Sequence, residues 1–209
     1  MKKLLAVTAI LASSLPAHAT PLFSDAGFGA GDSVITFNEA AVAAGSSVTN
    51  QFGSLGVSFS TNGPGSWYAS NDPDMYSGNP GFAGRYLDTF TGGTSATTYS
   101  ILFANDTDSA GAYWEFNTSS PAATFSAYLN NVLVESFDYN NVNCCSSTEF
   151  IGFSSIIFDE IRVSNITATN FIMDTLHFSP ASAVPEPGSL ALLGLGLGGL
   201  IFSRRKTKA

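Results

Sequence analysis

Between residues 20 and 183, apolar and polar side chains alternate with a period of two and not with the period of a helix. In residues 55–60, for example, Leu55, Val57 and Phe59 alternate with glycine and serine. This pattern is typical of β-strands that have one buried face and one exposed face. It predicts nine short strands, at residues 34–38, 55–60, 97–103, 111–117, 122–129, 132–139, 148–153, 155–163 and 169–178.

Residues that favour turns separate the predicted strands. Asn130-Asn131 lies between two of them at the spacing of a tight hairpin, where asparagine tolerates a positive φ. The run Asn105-Asp106-Thr107-Asp108 predicts another break. Nine short strands indicate an all-β fold, an antiparallel two-sheet β-sandwich of the jelly-roll type. In a jelly roll the first and last strands commonly lie side by side.

The segment 61–95 does not follow the alternating pattern. It is polar and rich in glycine, yet it contains several large aromatic residues, four of which carry a polar group: Trp67, Tyr68, Tyr76 and Tyr86. A loop of this length without secondary structure is uncommon in a compact domain, so short strands are expected near 66–69 and 84–87. The four aromatic side chains are candidates for a platform that stacks against sugar rings. The commoner role of such residues is to cap the end of the core.

Residues 1–19 differ in character from the middle of the chain. They begin with Met1-Lys2-Lys3, continue with an apolar run and end with Ala17 and Ala19 in a small-x-small arrangement. A basic start, a short apolar helix and such a site are typical of a secretory signal peptide, which signal peptidase would cut after Ala19. We therefore expect an N-terminal signal helix and a β-sandwich domain in residues 20–183.

Residues 184–209 combine a Pro-Glu-Pro triplet, an apolar stretch and a basic terminus. The prolines end the folded domain because proline cannot continue a strand or a helix. The uncharged residues 190–202 suit lipid, but as a helix they rise only about 20 Å, against a hydrocarbon core of roughly 30 Å. We expect a short C-terminal transmembrane helix at about 188–203 and a basic end at 204–208 on the cytoplasmic side.

This tail closely resembles the PEP-CTERM sorting signal, which joins a Pro-Glu-Pro triplet to a short Gly-rich apolar helix and an Arg-rich end. The residues that carry the resemblance are Pro185, Glu186, Pro187, Arg204, Arg205 and Lys206. The resemblance implies a bacterial protein that is exported across the inner membrane, anchored transiently by its C-terminal helix and processed by an exosortase-type membrane enzyme. Its expected destination is the cell surface or the extracellular matrix.

The charge of the chain is unevenly distributed. Six of the eight Lys and Arg residues lie in the two end segments, but only one of the sixteen acidic residues does, Glu186. Residues 20–183 therefore keep Arg85 and Arg162 as their only basic residues and carry a net charge of −13. This charge opposes binding to nucleic acid or to an anionic membrane through a basic patch. It suits a solvated extracellular surface, and it leaves carboxylates for a hard cation such as Ca²⁺.

One carboxylate falls in the apolar phase of the last predicted strand. Asp174 alternates in phase with three apolar residues: Ile172, Leu176 and Phe178. A buried carboxylate is costly unless it is paired or bound to a metal. If the first and last strands are neighbours, Glu39 and Asn38 come close to Asp174, and the three residues could hold a structural Ca²⁺. In the simpler alternative, Asp174 caps a neighbouring turn by hydrogen bonds.

The domain also loosely resembles carbohydrate-binding jelly rolls, through its number of strands and the pattern of residues 171–178. That resemblance is at the level of the fold. It implies a structural Ca²⁺ held by residues such as Asp174 and Glu39, and a polysaccharide as the partner.

The two cysteines, Cys144 and Cys145, are adjacent in a polar stretch. In an oxidising compartment they could form a strained vicinal disulfide or an intermolecular bridge. A vicinal bridge would not stabilise the fold, because it closes no loop of useful length. Reduced thiols in a loop are the other alternative, and a metal site is not expected because no histidine lies beside them.

The central domain offers few groups for catalysis. His177 is its only histidine, and it contains no lysine and no Gly-x-Ser-x-Gly motif. We interpret the chain as a non-catalytic exported protein, not an enzyme, that binds polysaccharide or another surface component. Two alternatives stay open: a secreted hydrolase that acts on glycans through paired carboxylates, and a purely structural surface protein that associates with itself.

Overall fold

The computed structural model describes residues 20–63, 65–70, 78–89, 98–116, 123–140, 148–164 and 171–181. The predicted signal helix and the predicted C-terminal helix lie outside these ranges. Within the described residues, no helix is long and apolar enough to cross a membrane. These residues form antiparallel β-structure with two 3₁₀ helices, Asp25–Gly27 and Gly53–Leu55.

Among the described residues, eleven strands belong to one hydrogen-bonded sheet. In chain order they are β1 (Thr20–Leu22), β2 (Ser33–Ile35), β3 (Ser47–Val48), β4 (Val57–Asn62), β5 (Trp67–Ala69), β6 (Leu87–Asp88), β7 (Thr98–Phe116), β8 (Ala123–Leu129), β9 (Val132–Tyr139), β10 (Glu149–Ser164) and β11 (Phe171–Pro180). The main path is β3-β5-β6-β11-β7-β10-β8-β9, while β1 pairs with β10, β2 with β11 and β4 with β7.

The two long strands, β7 and β10, fold this sheet into a two-layer sandwich. The N-terminal half of β7 pairs with β4 and with the C-terminal half of β10, which also pairs with β8. The C-terminal half of β7 pairs with β11 and with the N-terminal half of β10. The first layer therefore consists of β4, β8, β9 and those halves of β7 and β10 that they adjoin. The second layer contains the other halves of β7 and β10 with β1, β2, β3, β5, β6 and β11.

Strand β7 joins two predicted strands, 97–103 and 111–117, into one. The predicted break between them is wrong, because the backbone stays extended through the polar run. Asn105 and Asp106 are exposed and Thr107 is buried where the strand passes from the first layer to the second. The polar run therefore marks a corner of the sandwich and not a loop between two strands.

Strand β10 likewise covers the predicted strands 148–153 and 155–163. Its pairing with β7 shifts register between Ser154 and Phe158, and Ser155 has a φ of 65°. A residue other than glycine in the left-handed region, next to a register shift, is typical of a β-bulge, and a bulge lets a strand bend. The boundary seen in the sequence is thus a bend inside one strand.

Other predictions are confirmed. Asn130 and Asn131 join β8 to β9 with φ values of 51° and 63°. Short strands occur near 66–69 and 84–87, as β5 and β6. The first predicted strand neighbours the last, because Ile35 of β2 is the register partner of Leu176 of β11. The sequence pattern does not predict β1 or β3, which are only three and two residues long.

Aromatic rings from both layers meet in the core. The ring of Trp67 on β5 lies 5.6 Å from that of Phe59 and 5.3 Å from that of Tyr99, measured between centroids. The ring of Trp114 on β7 lies 5.2 Å from that of Phe125 on β8. Trp114 is 2% exposed, which confirms its predicted place in the core. Large aromatic side chains of this kind contribute most of the buried apolar area that stabilises a small sandwich.

Candidate functional site

The outer face of the second layer is covered by two segments of the chain. Residues 23–32 cross one part of it, where the ring of Phe28 lies 5.8 Å from Phe150 and 5.2 Å from His177 between centroids. Residues 78–86 cross the other part. There a small buried cluster forms between this segment and β11: Phe82, Tyr86 and Ile172. In those two areas, the outer face of the second layer is therefore covered by the chain itself.

The outer face of the first layer carries a row of polar side chains across all five of its strands. The residues are successive register partners: Ser60 on β4, Ser100 on β7, Arg162 on β10, Ser126 on β8 and Ser136 on β9. The neighbouring position on each of the first four strands is a core residue: Phe59, Ile101, Ile161 and Ala127. Alternation thus directs serine and arginine outward wherever the strand directs an apolar side chain inward.

A groove of about 300 Å³ runs over four positions of this polar row, from Ser60 on β4 to Ser126 on β8. Besides Arg162 and Tyr128, its lining carries hydroxyl and amide side chains: Ser60, Asn62, Thr98, Ser100, Ser126 and Ser164. Ser100 and Ser126 are only 6% and 7% exposed, although they belong to an outer face. They therefore form the floor of the groove, and the longer side chains around them form its walls.

Arg162 is held in this groove by three neighbours. Its Nε donates to Oε1 of Glu160 at 2.8 Å, and its Nη2 donates to Oε2 of the same carboxylate at 2.7 Å. Nη2 also donates to Oδ1 of Asn131 in the β8–β9 turn at 2.9 Å. The guanidinium carbon lies 3.8 Å from the centroid of the Tyr128 ring. A bidentate ion pair combined with a cation–π contact fixes the plane of the guanidinium.

The electrostatics of the pair follow from this geometry. Burial disfavours the charged form of Glu160, but hydrogen bonds from Arg162 and Ser100, together with the charge of Arg162, keep the pKa of Glu160 below its ordinary value. The hydrogen bond to Glu160 in turn raises the pKa of Arg162. Both groups therefore stay ionised at neutral pH, and their opposite charges cancel inside the groove.

A second polar cluster surrounds Asp174, which is fully buried. Its Oδ2 accepts a 2.9 Å hydrogen bond from the backbone N–H of Ala83, and its Oδ1 accepts one of 2.6 Å from that of Thr175. Nδ2 of Asn38 donates to the carbonyl oxygen of the same Ala83 at 2.9 Å. Oε1 of Glu39 accepts from the backbone N–H of Thr36 at 2.8 Å. The structure thus brings Asp174 and Asn38 onto one turn.

The charged form of the Asp174 carboxylate is energetically unfavourable in this position. Burial is the main reason that its pKa rises to about 7, and the nearby negative charge of Glu39 raises it further, against the two backbone hydrogen bonds. Two carboxylates among carbonyl and hydroxyl oxygens are the kind of donor set that Ca²⁺ prefers. In the described part of the chain, no group of three or more His, Cys, Asp or Glu side chains is arranged to hold a metal ion.

The side chain of Asp174 does not share a face with all its predicted companions. Thr175 has a φ of 47°, and the pairing of β11 with β7 shifts register between Asp174 and His177. This bulge reverses the phase of the strand, so Leu176 belongs to the main core, while Ile172 belongs to the small cluster under residues 78–86. The predicted common face for residues 172–178 is therefore wrong.

The predicted aromatic platform needs a correction. Trp67 is 1% exposed and Tyr86 is 4% exposed, so neither offers a ring face to a ligand. Trp67 is buried because β5 places it in the main core, and Tyr86, which directly precedes β6, packs against Phe82 and Ile172 in the small cluster. Tyr68, which alternates with Trp67, is only partly exposed. Tyr76 lies outside the described residues.

His177 is half-buried between aromatic rings, and its pKa is lowered mainly by burial. Its Nδ1 has no hydrogen-bond partner among the described residues. Several predicted features lie outside the described ranges: Ala17 and Ala19, Cys144 and Cys145, Pro185 to Pro187, and Arg204 to Lys206.

Comparison with known sequences adds one finding to this geometry. Residues 183–206 match the PEP-CTERM protein-sorting motif. The motif implies an exported protein that an exosortase sorts, as the sequence of the tail predicts. No curated protein matches the chain.

Three solved structures give the range of structural similarity. A cleaved adhesin domain, K2, of Lys-gingipain (Kgp) is 11% identical with a TM-score of 0.47, over 71% of this chain and 99% of that one. CBM32-3 from a family 31 glycoside hydrolase of Clostridium perfringens is 12% identical with a TM-score of 0.33, over 54% and 88%. Carbohydrate-binding module CBM36, solved with calcium and xylotriose, is 19% identical with a TM-score of 0.32, over 58% and 93%. Carbohydrate-binding modules are therefore among its structural neighbours, at a distance that carries no argument about its ligand.

The sequence pattern does not predict the groove, although one feature of the sequence is consistent with it. In the first-layer strands, the positions between the apolar ones are mainly Ser and Thr, as in Ser58 and Ser60 or Thr124 and Ser126. Ordinary exposed strand faces carry more charged residues. An outer face made of short hydroxyl side chains leaves room above the sheet, and Arg162 is one of only two basic residues in the domain.

Proposed function

We propose that this is an exported, non-catalytic surface protein whose sandwich binds polysaccharide in the groove over the first layer. The observation that carries the proposal is the groove over the polar row from Ser60 to Ser126, in which Arg162 is fixed by its neighbours. The sorting motif supports export of the protein to the place where such polymers occur.

The chemistry of the groove matches that of a sugar chain. A serine hydroxyl donates one hydrogen bond and accepts two, which is the same capacity as that of a sugar hydroxyl. Ser60 on β4, Ser100 on β7 and Ser126 on β8 place three such groups in the groove, and Arg162 on β10 lies between the last two. Arg162 and Tyr128 add a rigid planar wall. Because their positions are fixed by contacts within the protein, a ligand would lose little affinity to the ordering of side chains.

The length of the row favours a polymer over a single sugar. Adjacent strands lie about 4.8 Å apart, so the groove across four strands is about 14 Å long. A chain that crosses the strands would meet a hydroxyl side chain on most of them. A monosaccharide would use only one or two of these positions.

We also propose that residues 1–19 are a signal peptide removed after Ala19, and that the domain of residues 20–183 is released from its C-terminal tail by an exosortase. The Gly-rich apolar stretch and its short length support transient and not permanent anchoring. Cys144 and Cys145 would then meet an oxidising environment, where a vicinal or intermolecular disulfide forms.

A structural Ca²⁺ at Asp174 is a further part of the proposal. Asp174, Glu39 and Asn38 would hold the ion through carboxylate and amide oxygens, beside the carbonyl oxygens of the turn at residues 81–83. The support is that burial, together with the charge of Glu39, raises the pKa of Asp174, and a bound cation would relieve this cost. The ion would fix the turn at residues 79–83 against β11 and would have no part in chemistry.

The proposed function is tested with the full chain, purified from membranes in a mild detergent, on immobilised neutral polysaccharides. Ser60→Trp fills the groove from an exposed position and should abolish retention. Ser46→Trp, at an exposed position outside the groove, is the matched control and should bind like the unmodified chain. Retention that survives Ser60→Trp would rule out this groove. Release of reducing ends from any polymer would identify the protein as a hydrolase instead.

A further inference from the structure

The cation in the groove is already neutralised before any ligand arrives. Glu160 engages Nε and Nη2 of Arg162, and Asn131 takes a second bond from Nη2. The guanidinium face is covered by Tyr128 on one side. An incoming carboxylate or sulfate could not form a bidentate hydrogen bond with Nε and Nη2, because Glu160 already occupies these groups. It would also lie beside the negative charge of Glu160.

The surroundings of the pair add further negative charge. Asp138, the partner of Thr124 at the end of β9, accepts a 2.7 Å hydrogen bond from its hydroxyl group. Asp159 accepts from the backbone N–H of Asn130 at 2.9 Å, in the turn that carries Asn131. Arg85, the other arginine of the domain, is on the second layer's side, next to Tyr86 and Leu87. The potential over the groove is therefore set by more anions than cations, and an anionic polymer is repelled.

We infer that the groove takes an uncharged polysaccharide and excludes anionic ones, and that Glu160 is the residue that determines this specificity. The inference rests on the proposed function of the groove and names the class of polymer that it accepts. Neutral chains keep every favourable contact with the serine hydroxyls. Anionic chains gain little from Arg162, because Glu160 balances its charge and occupies its Nε and Nη2 groups.

Replacement of Glu160 by Gln separates charge from shape. The amide keeps the size of the side chain and one acceptor for Arg162, but it removes the negative charge, so the groove gains one uncompensated cation. Glu160→Gln should therefore bind anionic polysaccharide at least about tenfold more tightly than the unmodified chain at low salt, and the gain should fall at high salt. Binding of neutral polysaccharide should change little.

The experiment uses the full chain in detergent with four probes: hydroxyethyl cellulose and dextran as neutral polymers, alginate and polygalacturonate as anionic ones. Asp106→Asn is the matched control, since it removes one negative charge from an exposed position outside the groove. The expected result is neutral binding by all three proteins and salt-sensitive anionic binding by Glu160→Gln alone. If Glu160→Gln does not fold, the unmodified chain still tests the inference, because at low salt it should bind alginate and polygalacturonate more weakly than hydroxyethyl cellulose and dextran.

The outcomes separate the two proposals. Anionic binding by the unmodified chain as tight as its neutral binding, blocked by Ser60→Trp, overturns the inference and leaves the groove as a polysaccharide site. Equal anionic gain in Asp106→Asn overturns the role of Glu160, because net charge alone would explain it. Absence of binding to every polymer by the unmodified chain overturns the proposed function itself.

Discussion

Arg162 on β10 stacks on the ring of Tyr128 on β8, with its guanidinium carbon 3.8 Å from the ring centroid. The register partner of Arg162 is Ser126, and that of Tyr128 is Glu160, so the stack is a diagonal contact between neighbouring strands. The same two strands thus hold the cation, its counter-ion and its aromatic support. The arrangement leaves Ser126 beneath the guanidinium as part of the groove floor.

Loss of the stack should weaken ligand binding without unfolding the protein. Tyr128→Leu removes a cation–π contact of about 0.5–1 kcal/mol and frees Arg162 to sample other rotamers. We expect neutral polysaccharide to bind about threefold to fivefold more weakly, as measured by isothermal titration calorimetry. Tyr128→Phe keeps the ring and should stay within twofold of the unmodified chain, roughly the scatter of such measurements. Equal affinities for Tyr128→Leu and the unmodified chain would remove Tyr128 from the site.

Trp67 should matter for stability and not for binding. Its ring lies in the core against Phe59, Tyr99 and Phe171. Trp67→Ala should therefore cost about 3–5 kcal/mol in the free energy of unfolding, measured by urea denaturation. Trp67→Phe should cost less, because it keeps a ring and removes an Nε1 group that is buried without a hydrogen-bond partner among the described residues. A stable Trp67→Ala protein that no longer bound polysaccharide would contradict this assignment.

Local patterns were sufficient for much of the fold. Alternation placed Trp114 in the core, and the Asn130-Asn131 pair predicted a hairpin whose two positive φ values the structure confirms. These features depend on neighbours in sequence, where side-chain period and backbone preference act directly. Asp174 is buried as predicted, although Leu176 and Phe178, two of the three residues expected on its face, lie in the main core on the other side of the strand.

The features that the sequence does not predict depend on contacts between distant segments. Thr175 adopts a positive φ that reverses the phase of β11, and nothing in its own sequence requires this bulge. Trp67 lies in a polar, Gly-rich segment, and only the pairing of β5 with β3 and β6 makes it a core residue. The groove depends on the mutual register of four strands that span residues 57 to 164. A one-residue slip would turn Arg162 toward the core, so no local pattern defines the site.

Calcium should stabilise the protein through Asp174. A ligand at a hundred times its dissociation constant adds about 2.7 kcal/mol, which corresponds to a rise of roughly 5–10 °C in melting temperature for a domain of this size. We expect such a rise on going from chelator to millimolar Ca²⁺ in differential scanning calorimetry. Asp174→Asn should abolish it, whereas Asp106→Asn, at an exposed position, should keep it. Identical melting temperatures of the unmodified chain with Ca²⁺ and with chelator would contradict the proposed Ca²⁺ site.

His177 should make stability depend on pH in the acidic range. Burial lowers its pKa in the folded state, while the charges of Asp25 and Asp32 oppose that effect without overcoming it. The unfolded chain therefore binds more protons than the folded one between the lowered pKa and the ordinary value near 6.5, so this residue's contribution to stability rises with pH and is complete above that value.

His177→Phe preserves the aromatic packing against Phe28 and Phe150 and removes the titrating group and its unpartnered Nδ1. Asp174, whose pKa is raised to about 7, acts in the opposite sense, since its contribution is lost as pH rises. The informative quantity is therefore the difference in unfolding free energy between His177→Phe and the unmodified chain, measured by urea denaturation across the acidic range. The variant's advantage should be largest at low pH and shrink as pH rises to 6.5. A difference that does not vary with pH would mean that His177 has the same pKa in both states.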